Sequence, residues 1–310
     1  MTLPLGNYKL LGKIRCEMMK KIIIFVSFFM LIIPTAVLGE TYSTNPLSQF
    51  EEKEVTPEDS VSAANNERQS GVISLKVMTF NIHSAINWYG KLDVEALAHF
   101  IEDVKPDIVG LQEVDAGWSS LTNFEDIPAK LSERLHMGYA FSASRERNNG
   151  FFGNLILSKY PIVQQWTVVM PGSLEPRSFA LVQFEIEGQR INFLTTHLGL
   201  SVSDRLGQVS TILDFVDQIG GPLIITGDFN GNDNDPAVAE LKKYLSDLQS
   251  MSDFKDSGTF RSKDGNVYPG SKMDYILTSP EFGLSTLEVV VDNFVSDHVP
   301  LIAELTLNLN

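Results

Sequence analysis

Residues 222–230 read PLIITGDFN. Leu223, Ile224, Ile225 and Thr226 form a short apolar run rich in β-branched side chains. Gly220, Gly221 and Pro222 precede it and Gly231-Asn232-Asp233-Asn234 follows it, so turn-forming residues bound it on both sides. This pattern predicts a buried strand. At its carboxyl end the character changes to Gly227-Asp228-Phe229-Asn230. A carboxylate and a carboxamide two residues apart on an extended backbone point to the same side. The carboxyl ends of central strands are where α/β sheets place their chemistry. A plain turn would use the same residue types, so the decision rests on whether other strands end in the same way.

They do. Residues 75–82 (LKVMTFNI) read as a strand with Asn81 near its end, and 108–111 as a second strand ending in Gln112-Glu113-Val114-Asp115. Between them Val94, Leu97, Ala98 and Ile101 follow helical spacing, Asp93 stands at the cap position, and Pro106 stops the helix. Residues 126–135 predict another helix. Strands are expected at 155–157, 162–170, 179–186 and 191–196, with Glu187-Gly188 as the hairpin turn between the last two. The strand at 191–196 leads into Thr196-His197. Leu206, Val209, Ile212, Leu213 and Val216 mark a helix before the GDFN strand. Strands at 273–277, 287–291 and 299–307 close the chain, with Asp274 starting the first and Ser296-Asp297-His298 preceding the last. Strand–helix alternation at the start and hairpins in the middle suit two mixed sheets packed face to face with helices outside.

The strand-edge residues are then Asn81, Glu113, His197, Asp228, Asn230, Asp274, Asp297 and His298. They supply oxygen donors and two imidazoles, and no sulfur. Such a set suits Mg²⁺ or Mn²⁺. No zinc-type spacing, P-loop, G-x-G-x-x-G or G-x-S-x-G motif occurs. His83, His99 and His136 read as ordinary surface or packing residues. Trp88, Tyr89 and Trp118 fall in loops near the strand ends, as a substrate rim or as packing. Asn154 either orients His197 or shapes its loop.

The chain has 24 Lys and Arg against 39 Asp and Glu, a net charge of −15. An acidic surface repels a phosphate backbone and disfavours extended nucleic acid as a partner. Lys20 and Lys21 precede twelve residues, 22–33, that are apolar except for Ser27. Pro34-Thr35-Ala36-Val37-Leu38-Gly39 then offers small residues at cleavage positions. Residues 1–39 therefore read as a secretory signal with Met19 as the start and cleavage before Glu40. The product would be secreted or extracytoplasmic, or membrane-anchored if the segment is retained. The single cysteine, Cys16, precedes the apolar run, so the mature chain has no thiol chemistry. Residues 40–73 have no apolar period and carry seven acids against two bases, which predicts a disordered acidic linker. One domain is expected over 74–307, acting as a monomer.

TFNIH around Asn81, LQEVD around Glu113, GNLILSKYPI, EPRSFA around Arg177, TTHLGL around His197, GDFN, KMDYIL around Asp274 and SDHVPL around His298 occur in this order. With them the chain resembles the endonuclease/exonuclease/phosphatase superfamily over about 76–305. The resemblance implies a deoxyribonuclease I-like α/β fold, a four-layer α/β/β/α sandwich of two mixed β-sheets flanked by helices. It implies a metal-dependent phosphoesterase, with water attacking phosphorus. Glu113 would be the principal metal ligand, supported by Asn81 and Asp297. Asp228 and Asn230 would position the water and the scissile phosphate. His298, held by Asp274, would serve as general base or stabilise the phosphate, and His197 and Arg177 would contact phosphate oxygens.

Three substrate classes compete: small phosphodiesters or sugar phosphates, lipid headgroups with transient membrane contact, and nucleic acid. Gly150-Phe151-Phe152-Gly153 is the one apolar hairpin candidate for a membrane, and it abuts a site motif, which assigns it to shaping the pocket. The rival class is a non-catalytic binding protein that retains the fold. Intact Glu113 and His298 argue against it.

Overall fold

The computed structural model describes residues 71–309, and the expected signal segment and nearly all of the acidic linker lie outside them. The first strand, β1 (Val72–Asn81), starts earlier than expected. Ile73, assigned above to the linker, is buried and pairs with Leu307, because it continues the inward alternation of Leu75 and Val77.

Helix α1 (Val94–Val104) is capped by Asp93, whose side chain accepts from the Ala96 N–H. It carries the chain across to β2 (Ile108–Ala116), which lies parallel to β1. Helix α2 (Ile127–Leu135) is capped in the same way by Asp126. The hairpin β3 (Gly138–Arg147) and β4 (Gly150–Ser158) follows. Next come β5 (Ile162–Met170), β6 (Arg177–Ile186) and β7 (Gln189–His197). Helix α3 (Val202–Ile219) then crosses to β8 (Leu223–Asp228), parallel to β7. Helix α4 (Pro236–Leu241), the two-residue β9 (Ser246–Asp247), β10 (Asp274–Thr278), β11 (Phe282–Val289) and β12 (Leu301–Asn308) complete the order.

One sheet runs β11-β12-β1-β2-β4-β3 and the other β5-β6-β7-β8-β10-β9. Each has one parallel pair at its centre, β1–β2 and β7–β8, joined by a helical crossover and flanked by antiparallel strands. The two parallel pairs are the buried βαβ units of the fold. Side chains sort by the two-residue period. Val77, Ile108, Phe193, Ile224 and Ile276 fill the space between the sheets. Met78, Phe80, Val109 and Leu111 pack beneath α1 and α2, and Leu194, Ile225, Val209 and Ile212 pack beneath α3. Three apolar layers thus hold four structural layers, the expected α/β/β/α sandwich. Each of these fully buried side chains contributes about 1.5–3 kcal/mol of transfer free energy.

Along the inward faces the chemistry changes toward one end: Val77, Thr79, Asn81 on β1; Phe193, Thr195, His197 on β7; Ile224, Thr226, Asp228 on β8. The threonine level is a polar partition. Gln112 Nε2 donates to Thr79 Oγ1 at 3.2 Å and to Thr195 Oγ1 at 2.8 Å, crossing between the sheets. Gly110 permits the approach there, since a Cβ on it would lie 2.4 Å from Thr226 Oγ1. Below this partition the sandwich is apolar. Above it the strand ends present their polar groups to one another.

Candidate active site

The ends of β1, β6, β7, β8 and β10, a bulge in β2 and two loop segments meet above the partition. Asn81 closes β1. Its Nδ2 donates to Glu113 Oε1 and to Asp228 Oδ2, each at 2.9 Å, and its Oδ1 accepts from the His83 N–H at 3.1 Å. Glu113 rises from an irregularity in β2, where the pairing with β4 shifts between Leu111 and Val114. Its φ is +56°, a left-handed conformation that costs a non-glycine residue about 1–3 kcal/mol and is concentrated at functional sites. The bulge turns Glu113 into the cleft, where a regular strand would have sent it to the other face.

Asp228 is at the centre. It is buried, its Oδ1 accepts from the Asn230 N–H at 2.9 Å, and its Oδ2 lies 3.4 Å from His197 Nε2 and 3.6 Å from His298 Nε2. Gly227 before it has φ +149°, and a Cβ there would sit 2.0 Å from Thr196 O, so only glycine lets β8 run this close to β7. Burial opposes the Asp228 charge. The two imidazoles, the Asn230 N–H and the Asn81 carboxamide outweigh it and hold the carboxyl below its usual range.

The two histidines have opposite backing. His298 Nδ1 donates to Asp274 Oδ2 at 2.8 Å, and the ring packs edge-on to Phe260. Burial disfavours its charge, but Asp274, Asp228 and Asp297 overcome that and raise it to about 10. His197 Nδ1 instead faces Arg177 Nη1 at 3.3 Å. A guanidinium can only donate, and so can the Asn230 carboxamide nitrogen that faces Nε2, whereas a neutral ring accepts at one nitrogen only, so the ring lies between two competing donors. Burial first, with Arg177 and His298 adding to it, holds His197 below the usual imidazole range against the pull of Asp228 and Glu113. Asn230 Nδ2 lies 2.8 Å from the same Nε2 and donates to Leu198 O at 2.9 Å.

Glu113, His197 and Asp228 offer ligand atoms within 4.8 Å of one another, as do Asp228, Asp274 and His298. In the first group the Glu113 and Asp228 oxygens are the hard donors. Carboxylate oxygens fit Mg²⁺ or Mn²⁺.

Two further residues, Asn81 and Asp297, are expected as metal ligands. Asp297 belongs to neither group. Asp297 lies on the bend that leads into His298, with its Oδ1 3.2 Å from Ser296 Oγ and 3.8 Å from His83 Nδ1. Asn81 presents its carboxamide nitrogen, and not its oxygen, to the two carboxylates. Asn154 makes no hydrogen bond to His197; its Nδ2 donates to the backbone O of Ser178 at 2.8 Å. Trp118 packs on Phe152, and Tyr89 stacks on Phe294 at the rim. His99 is exposed beside Asp103, and His136 caps α2.

Several supports carry little or no signal in the sequence. The Ser296 hydroxyl donates to Asn81 O at 2.8 Å and accepts from the His298 N–H at 3.3 Å. Thr259 Oγ1 accepts from the Asp274 N–H at 3.0 Å. Glu175 bridges Arg177 and Arg145. Ser296 has one clue, its two-residue spacing from His298. Thr259 lies on a loop remote in sequence, with nothing in the residue string to connect it. A cavity of about 400 Å³, lined by Asn230, Asn232, Arg205, Lys272 and Met273, adjoins the site. A larger one, about 730 Å³, lies over α3 and the end of α4 and touches none of these residues.

Known proteins share this geometry's frame. The model of the Endonuclease/Exonuclease/phosphatase family matches residues 78–298. The Escherichia coli protein YbhP is 25% identical over 261 residues, covering 77% of this chain and 99% of that protein. An endonuclease/exonuclease/phosphatase from Beutenbergia cavernae superposes with a TM-score of 0.65 at 25% identity, covering 76% of this chain and 72% of that one. A Bacteroides thetaiotaomicron mannosyl-6-phosphatase superposes with a TM-score of 0.63 at 20% identity, covering 74% and 99%. With the family model spanning most of the chain and the same two-sheet fold in its neighbours, the protein belongs to the endonuclease/exonuclease/phosphatase family.

Proposed function

We propose that this protein is a divalent-metal-dependent phosphoesterase that hydrolyses a small phosphoester, by attack of water on phosphorus. The observation that carries this reading is the convergence of Glu113 and Asp228 with two histidines and Arg177 at one end of the sandwich. Glu113 and Asp228 would hold the cation, with Asn81 fixing both carboxylates. When bound, the cation would neutralise charge that develops on the phosphoryl oxygens.

The remaining work falls to the chain itself. His298, backed by Asp274, presents Nε2 beside Asp228 and would donate to a phosphoryl or leaving-group oxygen. His197, beside Asp228, would contact a phosphoryl oxygen. Arg177, whose charge is fixed, would draw the phosphate to the β6–β7 edge. Asp228 lies between the two rings, where it can orient a water.

The net charge of −15 supports a small substrate over an extended polynucleotide. The mannosyl-6-phosphatase among the structural neighbours brings sugar phosphates into the same proposal. Secretion, read from residues 1–39, would place the substrate outside the cytoplasm.

The test is hydrolysis of bis-p-nitrophenyl phosphate and p-nitrophenyl phosphate with Mg²⁺ or Mn²⁺, followed by a panel of sugar phosphates, phospholipids, sphingomyelin, RNA and DNA. Turnover abolished by EDTA and restored by metal is the expected result. Absence of turnover on every substrate with metal would favour a binding protein that keeps the fold.

A further inference from the structure

We infer that Glu175 is a positioning residue that holds Arg177, and through it the His197 ring, in the working arrangement. The inference rests on the proposed phosphoester chemistry for its kinetic arm alone.

Arg177 is 5% exposed, yet no carboxylate of its own strand pairs with it. Its Nη1 meets His197 Nδ1 at 3.3 Å, and its Nη2 meets Glu175 Oε1 at 2.8 Å. Its Nε is buried with no hydrogen-bond partner among the described residues. The guanidinium plane is therefore fixed by only two side chains, and Glu175 is the sole anion among them. The other oxygen, Glu175 Oε2, takes Arg145 Nη1 at 2.6 Å. Arg145 comes from β3 in the opposite sheet, with its guanidinium 4.5 Å from the Phe152 ring and 5.4 Å from the Trp118 ring. One carboxylate thus holds two guanidinium groups from two sheets at the mouth of the site.

The segment that presents Glu175 is itself tied down. Gln208 Nε2 donates to Pro171 O at 3.1 Å, and the Ser173 N–H and hydroxyl both donate to Asp204 Oδ2, at 3.0 and 2.6 Å. Pro176 then restricts the backbone between Glu175 and Arg177. The anchor is fixed on α3, and the side chain reaches from it to the two arginines.

Without Glu175 two like charges would face each other in a half-buried setting, and Arg177 would have no reason to keep Nη1 at His197. The His197 ring would then lose the donor at Nδ1, leaving the Asn230 carboxamide nitrogen at Nε2 as the donor that sets the tautomer. Glutamine at this position keeps an acceptor for Nη2 but turns an N–H₂ toward Arg145, so it should restore only part of the arrangement.

The test uses the full chain with Glu175→Ala, Glu175→Gln, Arg177→Ala and the double variant Glu175→Ala/Arg177→Ala. In the ¹H–¹⁵N spectrum of the histidine rings, wild type should show His197 with Nδ1 unprotonated and Nε2 protonated. Glu175→Ala should lose that pattern and Glu175→Gln should recover part of it. With bis-p-nitrophenyl phosphate, Glu175→Ala should lower kcat by about 10²-fold, the scale set by misplacing a reacting or binding group. In the Arg177→Ala background the same change should cost no more than about threefold, because the residue through which Glu175 acts is gone. An unchanged His197 spectrum in Glu175→Ala, or an equal kinetic loss with and without Arg177, would overturn the inference. A wild-type protein without turnover would count against the phosphoesterase reading, and the ring spectrum would still decide the role of Glu175.

Discussion

His298 and His197 stand on either side of Asp228, 3.6 and 3.4 Å from the same oxygen, and the protein treats them in opposite ways. Behind His298 is a carboxylate, Asp274. Behind His197 is a guanidinium, Arg177. Both rings are nearly closed off from solvent, so burial opposes charge on each alike. What separates them is the sign of the neighbour: His298 is raised to about 10, while His197 is held below the ordinary imidazole value. One ring enters the cleft backed by an anion and the other backed by a cation. A single residue type thereby fills two roles, and each role is written in the residue on the far side of the ring.

The most damaging change should be the one that removes what both sides share. Glu113→Gln keeps the shape of the side chain and its contact with Asn81 but takes away the charge. Losing several kcal/mol of metal-dependent stabilisation corresponds to a fall in kcat/KM on the order of 10⁴-fold. Thermal melting should show the fold intact. Near wild-type turnover at limiting Mg²⁺ would remove Glu113 from the metal site.

Asp274→Asn strikes the His298 side alone. The amide preserves size and can still meet the ring, but it no longer supports a positive imidazole. We expect kcat to drop by roughly 10²-fold, within the range of a positioned acid–base group, with no change in the His197 ring spectrum. A change in both rings would show that the two sides are not independent.

Much of this arrangement is legible in the residue order alone. The apolar run at 223–226, the cap Asp93, and the Glu187-Gly188 turn each carry their own local cause, and the elements form there. The strand-edge acids and histidines stand out because each interrupts an apolar run at its end. Strand β3 does not stand out. It is an edge strand whose second half reads Ser142-Ala143-Ser144-Arg145-Glu146-Arg147, and an edge keeps polar side chains that blur a two-residue period. Helix α4 is hidden inside a turn-rich stretch, where Asp235 accepts from the Ala237 N–H and Pro236 opens the helix.

The orientation of the Asn81 carboxamide, and the clasp from Glu175 to Arg145, depend on contacts between strands of different sheets. No local pattern encodes those.

The smallest effect should come from Ser296→Ala. The hydroxyl joins Asn81 O to the His298 N–H, so its loss should cost about 1 kcal/mol of stability and lower kcat only severalfold, on the His298 side. An effect as large as that of Asp274→Asn would mean that Ser296 itself meets the substrate.

The relative cost of losing each histidine tests the division between the two sides of Asp228 most directly. We predict that kcat/KM for bis-p-nitrophenyl phosphate at saturating Mg²⁺ falls about 10⁴-fold in His298→Ala and nearer 10²-fold in His197→Ala, with metal affinity, measured separately, retained in both. The His298 cation is backed by its own carboxylate, whereas Arg177 covers part of what His197 supplies. Equal losses, or the larger loss at His197, would contradict that division of roles.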